Sequence, residues 1–165
     1  MPITLKNSTE RIISGSLYRE GYSSASKIVY THSFINAAED YIKNNKNSIP
    51  VYLSCLQQFP DYLDTENSEI IAKKYEVGSI VDATLTPSLL DYVSLELHID
   101  IQLNSGTRAS DLMNILEANN YNSSFYRLVP CAGILLDDTK TYCSIDKKHI
   151  ENESYKLYFV DIFKS

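Results

Sequence analysis

The sequence has few cysteines and glycines and no long apolar run, and each shortage removes a class of protein. Its three cysteines, Cys55, Cys131 and Cys143, are an odd number without C-x-x-C spacing, so we expect small buried residues rather than metal ligands or nucleophiles. The spacing leaves open a Cys131–Cys143 bridge across a predicted hairpin. Its five glycines are isolated, which excludes a glycine-rich phosphate-binding loop. No apolar segment is long enough to cross a bilayer or to act as a secretory signal, and we therefore expect a cytoplasmic protein.

The familiar catalytic motifs are also missing from the sequence. The three histidines have neither H-E-x-x-H nor H-x-x-x-H spacing, which would bring two metal ligands to one face of a helix. No G-x-S-x-G motif surrounds a serine that could serve as a nucleophile. The sequence therefore predicts no catalytic residue, no metal ion and no cofactor.

The charge balance is acidic. There are 21 aspartates and glutamates against 15 lysines and arginines, which gives a net charge of -6. Such a chain is repelled by phosphate backbones and by anionic lipid, so we expect neither a nucleic acid nor a membrane as partner. A basic protein is the better electrostatic match for this sequence.

The strongest structural signal lies between residues 92 and 103, where apolar and polar residues alternate strictly. The apolar set is Val93, Leu95, Leu97, Ile99, Ile101 and Leu103, and the polar set is Ser94, Glu96, His98, Asp100 and Gln102. Because strand side chains point to opposite faces in turn, this pattern predicts a strand with one apolar face and one accessible polar face. A sheet covered by helices on both sides would show continuous apolar runs instead.

These patterns together predict one α+β domain over residues 1–165, with a curved, mainly antiparallel sheet of six to eight strands and two or three helices packed on one face. Further strands are predicted at 51–56, 77–85, 125–129, 132–136, 141–145 and 155–163, and the segments 11–18 and 27–30 are candidates for additional ones. One helix is predicted from Phe34 to about Asn45, with Ser33 as its N-cap. A second is capped by Thr107 or Ser110 and has the buried stripe Leu112, Ile115 and Leu116, with Met113 beside it. The asparagines Asn119, Asn120 and Asn122 end it.

Two groups of residues are candidates for binding a partner protein. The first is the acidic segment, residues 61–69, which contains Asp61, Tyr62, Asp64, Glu66 and Glu69. Its carboxylates would steer a cationic partner towards the molecule, and Tyr62 would supply a rigid anchor. The alternative interpretation of this segment is a solvated loop or the start of a helix.

The second group is Glu96, His98 and Asp100 on the polar face of the long strand. These residue types also bind metals, which gives the alternative hypothesis of a metal-dependent enzyme. Alternate residues of a strand lie about 6.7 Å apart, so one metal would reach two of the three side chains but hardly all of them. Solvated side chains or cross-strand charge pairs are the simpler interpretation.

One stretch resembles a known family. Residues 77–84 (VGSIVDAT), Pro87 and residues 92–97 (YVSLEL) are similar to the strand pair of a secretin, and residues 27–31 and 51–56 resemble the junction of secretin periplasmic domains. The resemblance covers less than half of the chain and implies a component of a secretion or pilus apparatus.

The first functional hypothesis is therefore a non-catalytic acidic protein that binds another protein, in its most concrete form an immunity or inhibitor protein that neutralises a toxin. The secretion component and the metal-dependent enzyme are the alternatives.

Overall fold

The computed structural model describes residues 3–20, 30, 32–58, 73–87, 95–120, 122–123, 125–134 and 155–164. Within these residues the strands are β1 (Ile3–Asn7), β2 (Ile12–Arg19), β3 (Pro50–Leu53), β4 (Glu76–Pro87), β5 (Leu95–Leu103), β6 (Asn122–Ser123), β7 (Tyr126–Ile134) and β8 (Tyr155–Lys164). The named helices are α1 (His32–Asn44), α2 (Cys55–Gln58) and α3 (Thr107–Ala118).

The strands form one curled sheet in the order β6-β1-β2-β5-β4-β3-β8-β7. Neighbouring strands are antiparallel except for β3 and β8, which are parallel. The predicted α+β fold with a curved, mainly antiparallel sheet is confirmed. The strands that the secretin resemblance singled out, β4 and β5, do pair antiparallel.

The main core lies between the sheet and the two longer helices. Leu97, Ile99 and Ile101 of β5 are fully buried, as the alternation predicted. They share one cluster with apolar residues of both helices, namely Phe34, Ile35, Ala38 and Ile42 of α1 and Ala109, Leu112, Met113 and Leu116 of α3. Burying each large aliphatic side chain contributes about 1.5–3 kcal/mol, so this cluster is the principal source of stability.

The helix ends and faces differ from the prediction in three details. Helix α1 begins at His32, so Ser33 lies within it rather than capping it. The N-cap of α3 is Gly106 and no side chain caps it, although Asn119 ends the helix as predicted. Ile115 is exposed because the buried residues of α3 recur at positions i, i+3, i+4 and i+7 from Ala109, which leaves Ile115 off the stripe.

A second, smaller cluster covers the opposite face of the sheet at β3, β8 and β7. It contains Tyr52, Cys55, Tyr75, Cys131 and Phe159. Three of its members directly adjoin residues of the main core in sequence, and consecutive strand residues point to opposite faces. The prediction that the cysteines are buried is confirmed for Cys55 and Cys131, whereas Cys143 lies outside the described residues.

Helix α2 occupies part of the predicted strand 51–56. The strand ends at Leu53, Ser54 has a positive φ of 59°, and its N–H donates to the Ile162 carbonyl at 2.9 Å. A left-handed residue turns the chain out of the strand, and the next residue starts the helix. The pattern of apolar residues could not reveal this turn.

Bulges in the pairing of β4 with β5 and of β8 with β7 decide which residues of these strands face the core. The register shifts in β4 between Ile80 and Asp82, so Ile80 and Ala83 both face the main core although they lie three residues apart. A similar shift in β8 places Leu157 and Val160 on one face. Each bulge inserts one residue and so reverses the alternation beyond it.

The structure joins two predicted strands, at 125–129 and 132–136, into the single strand β7. The predicted tail strand is β8, and it is an interior strand because β3 and β7 pair with it on either side. The predicted strands at 27–30 and 141–145 lie outside the described residues, apart from Tyr30.

The curl brings β7 over β2. A Cβ atom built on Gly15 would lie 2.9 Å from Leu128 Cδ1, so the missing side chain makes room for this leucine. Gly78 is more constrained, because a Cβ there would collide with the backbone carbonyl oxygen of Gln102 in the paired strand β5.

We expect Gly78→Ala to destabilise the protein by about 3 kcal/mol, since the β4–β5 ladder must shift to relieve the collision. Urea denaturation followed by circular dichroism measures this change. Gly15→Ala is the matched control, because its neighbour is the end of a flexible side chain, and we expect a loss of less than about 1 kcal/mol. Equal stability of the two variants would contradict the proposed close approach of the strands.

Candidate functional site

The candidate site is the polar face of the three central strands, which we call the outer face. Its side chains stand in three cross-strand rows given by the strand register. From β4 through β5 to β2 the rows are Asp82–Asp100–Ser14, Thr84–His98–Ser16 and Thr86–Glu96–Arg19. The polar residues of the long strand are thus brought together with polar residues from both neighbouring strands.

The first row contains two aspartates on neighbouring strands, each paired with a lysine. Lys6 Nζ lies 2.7 Å from Asp100 Oδ2, and Lys46 Nζ lies 3.2 Å from Asp82 Oδ1. Like charges directly opposite each other destabilise a sheet, and the two lysines offset this repulsion. Burial raises the pKa of Asp82, but the hydrogen bond from the Ala83 N–H and the Lys46 ammonium together outweigh it, and the pKa is lowered.

The other two rows hold His98 and Glu96. His98 Nε2 and Glu96 Oε1 are 3.6 Å apart, which is too long for a hydrogen bond. The His98 side chain is 27% exposed, whereas that of Glu96 is only 3% exposed. Glu96 Oε1 is buried and has no hydrogen-bond partner.

The expectation that the whole polar face is accessible is therefore wrong for Glu96. The side chains of His98 and Asp100 are half-buried, and Gln102 is exposed. The alternation correctly separated the two faces of the strand. It carried no information on how deeply each polar residue is buried, which differs from Glu96 to Gln102 along the same strand.

Glu96, His98 and Asp100 do not converge on one point. Among the described residues no group of three or more histidine, cysteine, aspartate or glutamate side chains is arranged to hold a metal ion. Asp100 is turned to Lys6 instead. The alternative hypothesis of a metal-dependent enzyme that uses these residues stays a hypothesis.

The acidic segment, with Asp61, Tyr62, Asp64, Glu66 and Glu69, lies outside the described residues. Its predicted role in partner binding stays a prediction.

Sequence analysis missed a buried carboxylate, that of Asp161 in β8. Asp161 is fully buried; its Oδ1 accepts a hydrogen bond from Cys55 N at 2.8 Å, and its Oδ2 accepts one from Leu56 N at 3.4 Å. These N–H groups open helix α2, so Asp161 acts as a cap supplied by a distant strand. The sequence did contain a signal for a buried carboxylate, because Asp161 is the one charged residue within the otherwise apolar run from Phe159 to Phe163.

Burial raises the pKa of Asp161 to about 6, against an ordinary value of 3.8, because desolvation outweighs its two backbone hydrogen bonds.

Several tyrosines belong to the core. Tyr18 and Tyr155 are buried, and their hydroxyl oxygens are 2.9 Å apart. Burial raises the pKa of both phenols. Phe34 packs edge-to-face on each of these rings, at centroid distances of 5.1 and 5.3 Å. These tyrosines tie α1 to β2 and β8 and are not available to a partner.

Comparisons of the chain with protein-family models, with curated proteins and with solved structures give no match.

Across the described part of the chain, no helix combines the length and the apolar character needed to cross a membrane.

Asp161 gives a prediction for the pH dependence of stability. Its pKa is higher in the folded state, so the folded protein binds this proton more tightly than the unfolded chain does. The stability that this proton contributes is fully present below pH 3.8 and is lost as the pH rises through about 6. Between about pH 4.5 and about pH 7.5 the loss amounts to about 2 kcal/mol.

Asp161→Asn removes the ionisation and keeps a carbonyl acceptor for the Cys55 N–H. The wild type loses about 2 kcal/mol of unfolding free energy between about pH 4.5 and about pH 7.5, and the variant lacks this loss. We therefore expect the variant to gain about 2 kcal/mol of stability relative to the wild type over this range. Urea denaturation at both pH values measures it. A difference that is independent of pH would show that Asp161 does not titrate in this range.

Proposed function

We propose that the protein is a non-catalytic acidic binding protein that captures a basic protein, in its most concrete form an immunity or inhibitor protein that neutralises a toxin. We place its action in the cytoplasm, which the odd number of cysteines without paired spacing favours. The partner would be neither a nucleic acid nor a membrane, because the net charge of -6 opposes both.

The observation that carries the proposal is the outer face itself. Both longer helices pack into the main core on the inner face, and α2 packs on the other side at β8. No helix among the described residues lies over the outer rows of β2, β5 and β4. Thr84 and Gln102 are exposed there, beside the half-buried Ser16 and His98. The hydroxyl, imidazole and amide groups of these side chains can donate hydrogen bonds to a protein partner and accept them from it.

The charge of the chain supports a basic partner, although the outer face does not supply that charge. Asp82 and Asp100 are paired with lysines of the same molecule, so the first row is close to neutral. The acidic segment contains four carboxylates and no lysine or arginine. Its own net charge is therefore -4, compared with -6 for the whole chain. We propose that this segment steers the partner and that the outer face receives it.

Neutralising the acidic segment tests the first part of this proposal. We expect the variant Asp61→Asn, Asp64→Asn, Glu66→Gln, Glu69→Gln to bind the partner at least about tenfold more weakly at low salt, because the steering charge is gone. The measurement is a pull-down from the native host with wild-type protein, followed by calorimetric titration of the basic protein retained.

The matched control removes four exposed carboxylates elsewhere, at Asp40, Glu76, Asp111 and Glu117. Equal weakening by both sets would assign the effect to net charge and would contradict a role of the segment. Failure of the native host to yield any basic partner would count against the proposed function as a whole. An immunity role further requires that the partner is toxic when expressed alone and harmless when co-expressed.

Blocking the outer face tests the second part. Thr84 is exposed in the middle row, so Thr84→Arg places a long charged side chain where the partner would sit without disturbing the core. We expect at least about a hundredfold loss of affinity for the retained partner, since a clash and a buried like charge oppose docking. Asn114→Arg on the exposed side of α3 is the control and should bind normally.

A further inference from the structure

Glu96 and His98 lie side by side on the outer face, and the proposed function gives no role to the buried Glu96. Glu96 lies near the start of β5, opposite Thr86 and Arg19, with a side chain 3% exposed, and its Oε1 atom has no hydrogen-bond partner. A buried carboxylate oxygen without a partner is costly, because it has given up water and gained no donor in return. The imidazole nitrogen His98 Nε2 lies 3.6 Å from this oxygen, which is too far for a hydrogen bond.

The separation of the two atoms is too long for a hydrogen bond and suits two ligands of a shared metal ion as well as a direct charge pair. Zinc binds imidazole nitrogen and carboxylate oxygen at about 2.0–2.2 Å, so two ligands at a tetrahedral angle lie about 3.4 Å apart. The distance of 3.6 Å is close to this spacing and longer than a hydrogen bond. His98 is 27% exposed, which leaves a route from solvent to the pair.

We infer that Glu96 Oε1 and His98 Nε2 form a two-residue binding site for a divalent d-block cation such as Zn²⁺ on the outer face of the sheet. The mixed nitrogen and oxygen donor set favours such an ion over Mg²⁺ or Ca²⁺, which take oxygen ligands. Water supplies the remaining ligands, since Asp100, the next carboxylate on the strand, is held by Lys6 at 2.7 Å. This inference does not depend on the proposed partner.

A second histidine–carboxylate pair in the chain provides a natural control. His32 Nδ1 lies 3.4 Å from Glu20 Oε2, a similar separation. Glu20 Oε2 already accepts a hydrogen bond from Leu95 N at 2.9 Å, and both side chains are more exposed than those of the inferred site. The two pairs therefore differ in the feature on which the inference rests, which is the buried oxygen without a partner.

The test is calorimetric titration of the EDTA-stripped full chain with Zn²⁺, with Mg²⁺ in a parallel run. We expect one equivalent of Zn²⁺ to bind and Mg²⁺ not to bind. Glu96→Gln and His98→Ala should each weaken Zn²⁺ binding at least about tenfold, whereas His32→Ala should leave it unchanged. Circular dichroism of each variant confirms that it is folded, and Glu96→Gln keeps the shape of the side chain.

Proton NMR of the imidazole groups gives a second measurement of binding that does not rely on the heat of binding. The ring signals of His98, assigned by their loss in His98→Ala, should shift saturably with Zn²⁺ while those of His32 do not. The inference is overturned if no saturable binding occurs up to about 1 mM Zn²⁺, a limit that corresponds to about 4 kcal/mol. It is equally overturned if binding persists in Glu96→Gln or His98→Ala, or is lost in His32→Ala.

Discussion

The pairing of β5 with β2 on one side and with β4 on the other is the constraint on which both faces of the molecule depend. Because side chains alternate along a strand, a register that is fixed for these three strands decides at once which residues enter the core and which stand in the outer rows. Ile99 and Ile101 are fully buried beneath the helices, while His98 and Asp100 stand on the other side. A slip by one residue would exchange these two sets.

The two ends of the sheet are built differently, and the sequence patterns of their strands follow from this difference. At β3, β8 and β7 the main core lies on one face and the smaller cluster on the other, so β8 is apolar on both sides. At β2, β5 and β4 only the inner face meets a core, so β5 alternates. The outer face is therefore polar for a structural reason, whatever binds to it.

The two buried carboxylates of the described chain show how differently the fold treats the same group. Asp161 receives two backbone N–H groups from the start of α2, so both of its oxygens have a donor. Glu96 retains an oxygen without a donor, beside a half-buried imidazole. A buried carboxylate oxygen without a hydrogen-bond donor is unfavourable. Its presence in a folded protein calls for an explanation, such as a ligand that binds to it. This contrast, and not the charge of the strand, distinguishes Glu96 from the other acids.

The sequence by itself determined the fold class, the strand β5 with its buried residues, the helix α1 and the existence of the strand β8. Each of these rests on periodicity, which is a property of neighbours along the chain. Only the tertiary structure decided that Glu96 is buried, that Asp161 caps α2 and that bulges reverse the faces of β4 and β8. Those features depend on which strands lie side by side. The contact of Asp161 with Cys55, for example, joins residues 106 positions apart and leaves no local pattern to read.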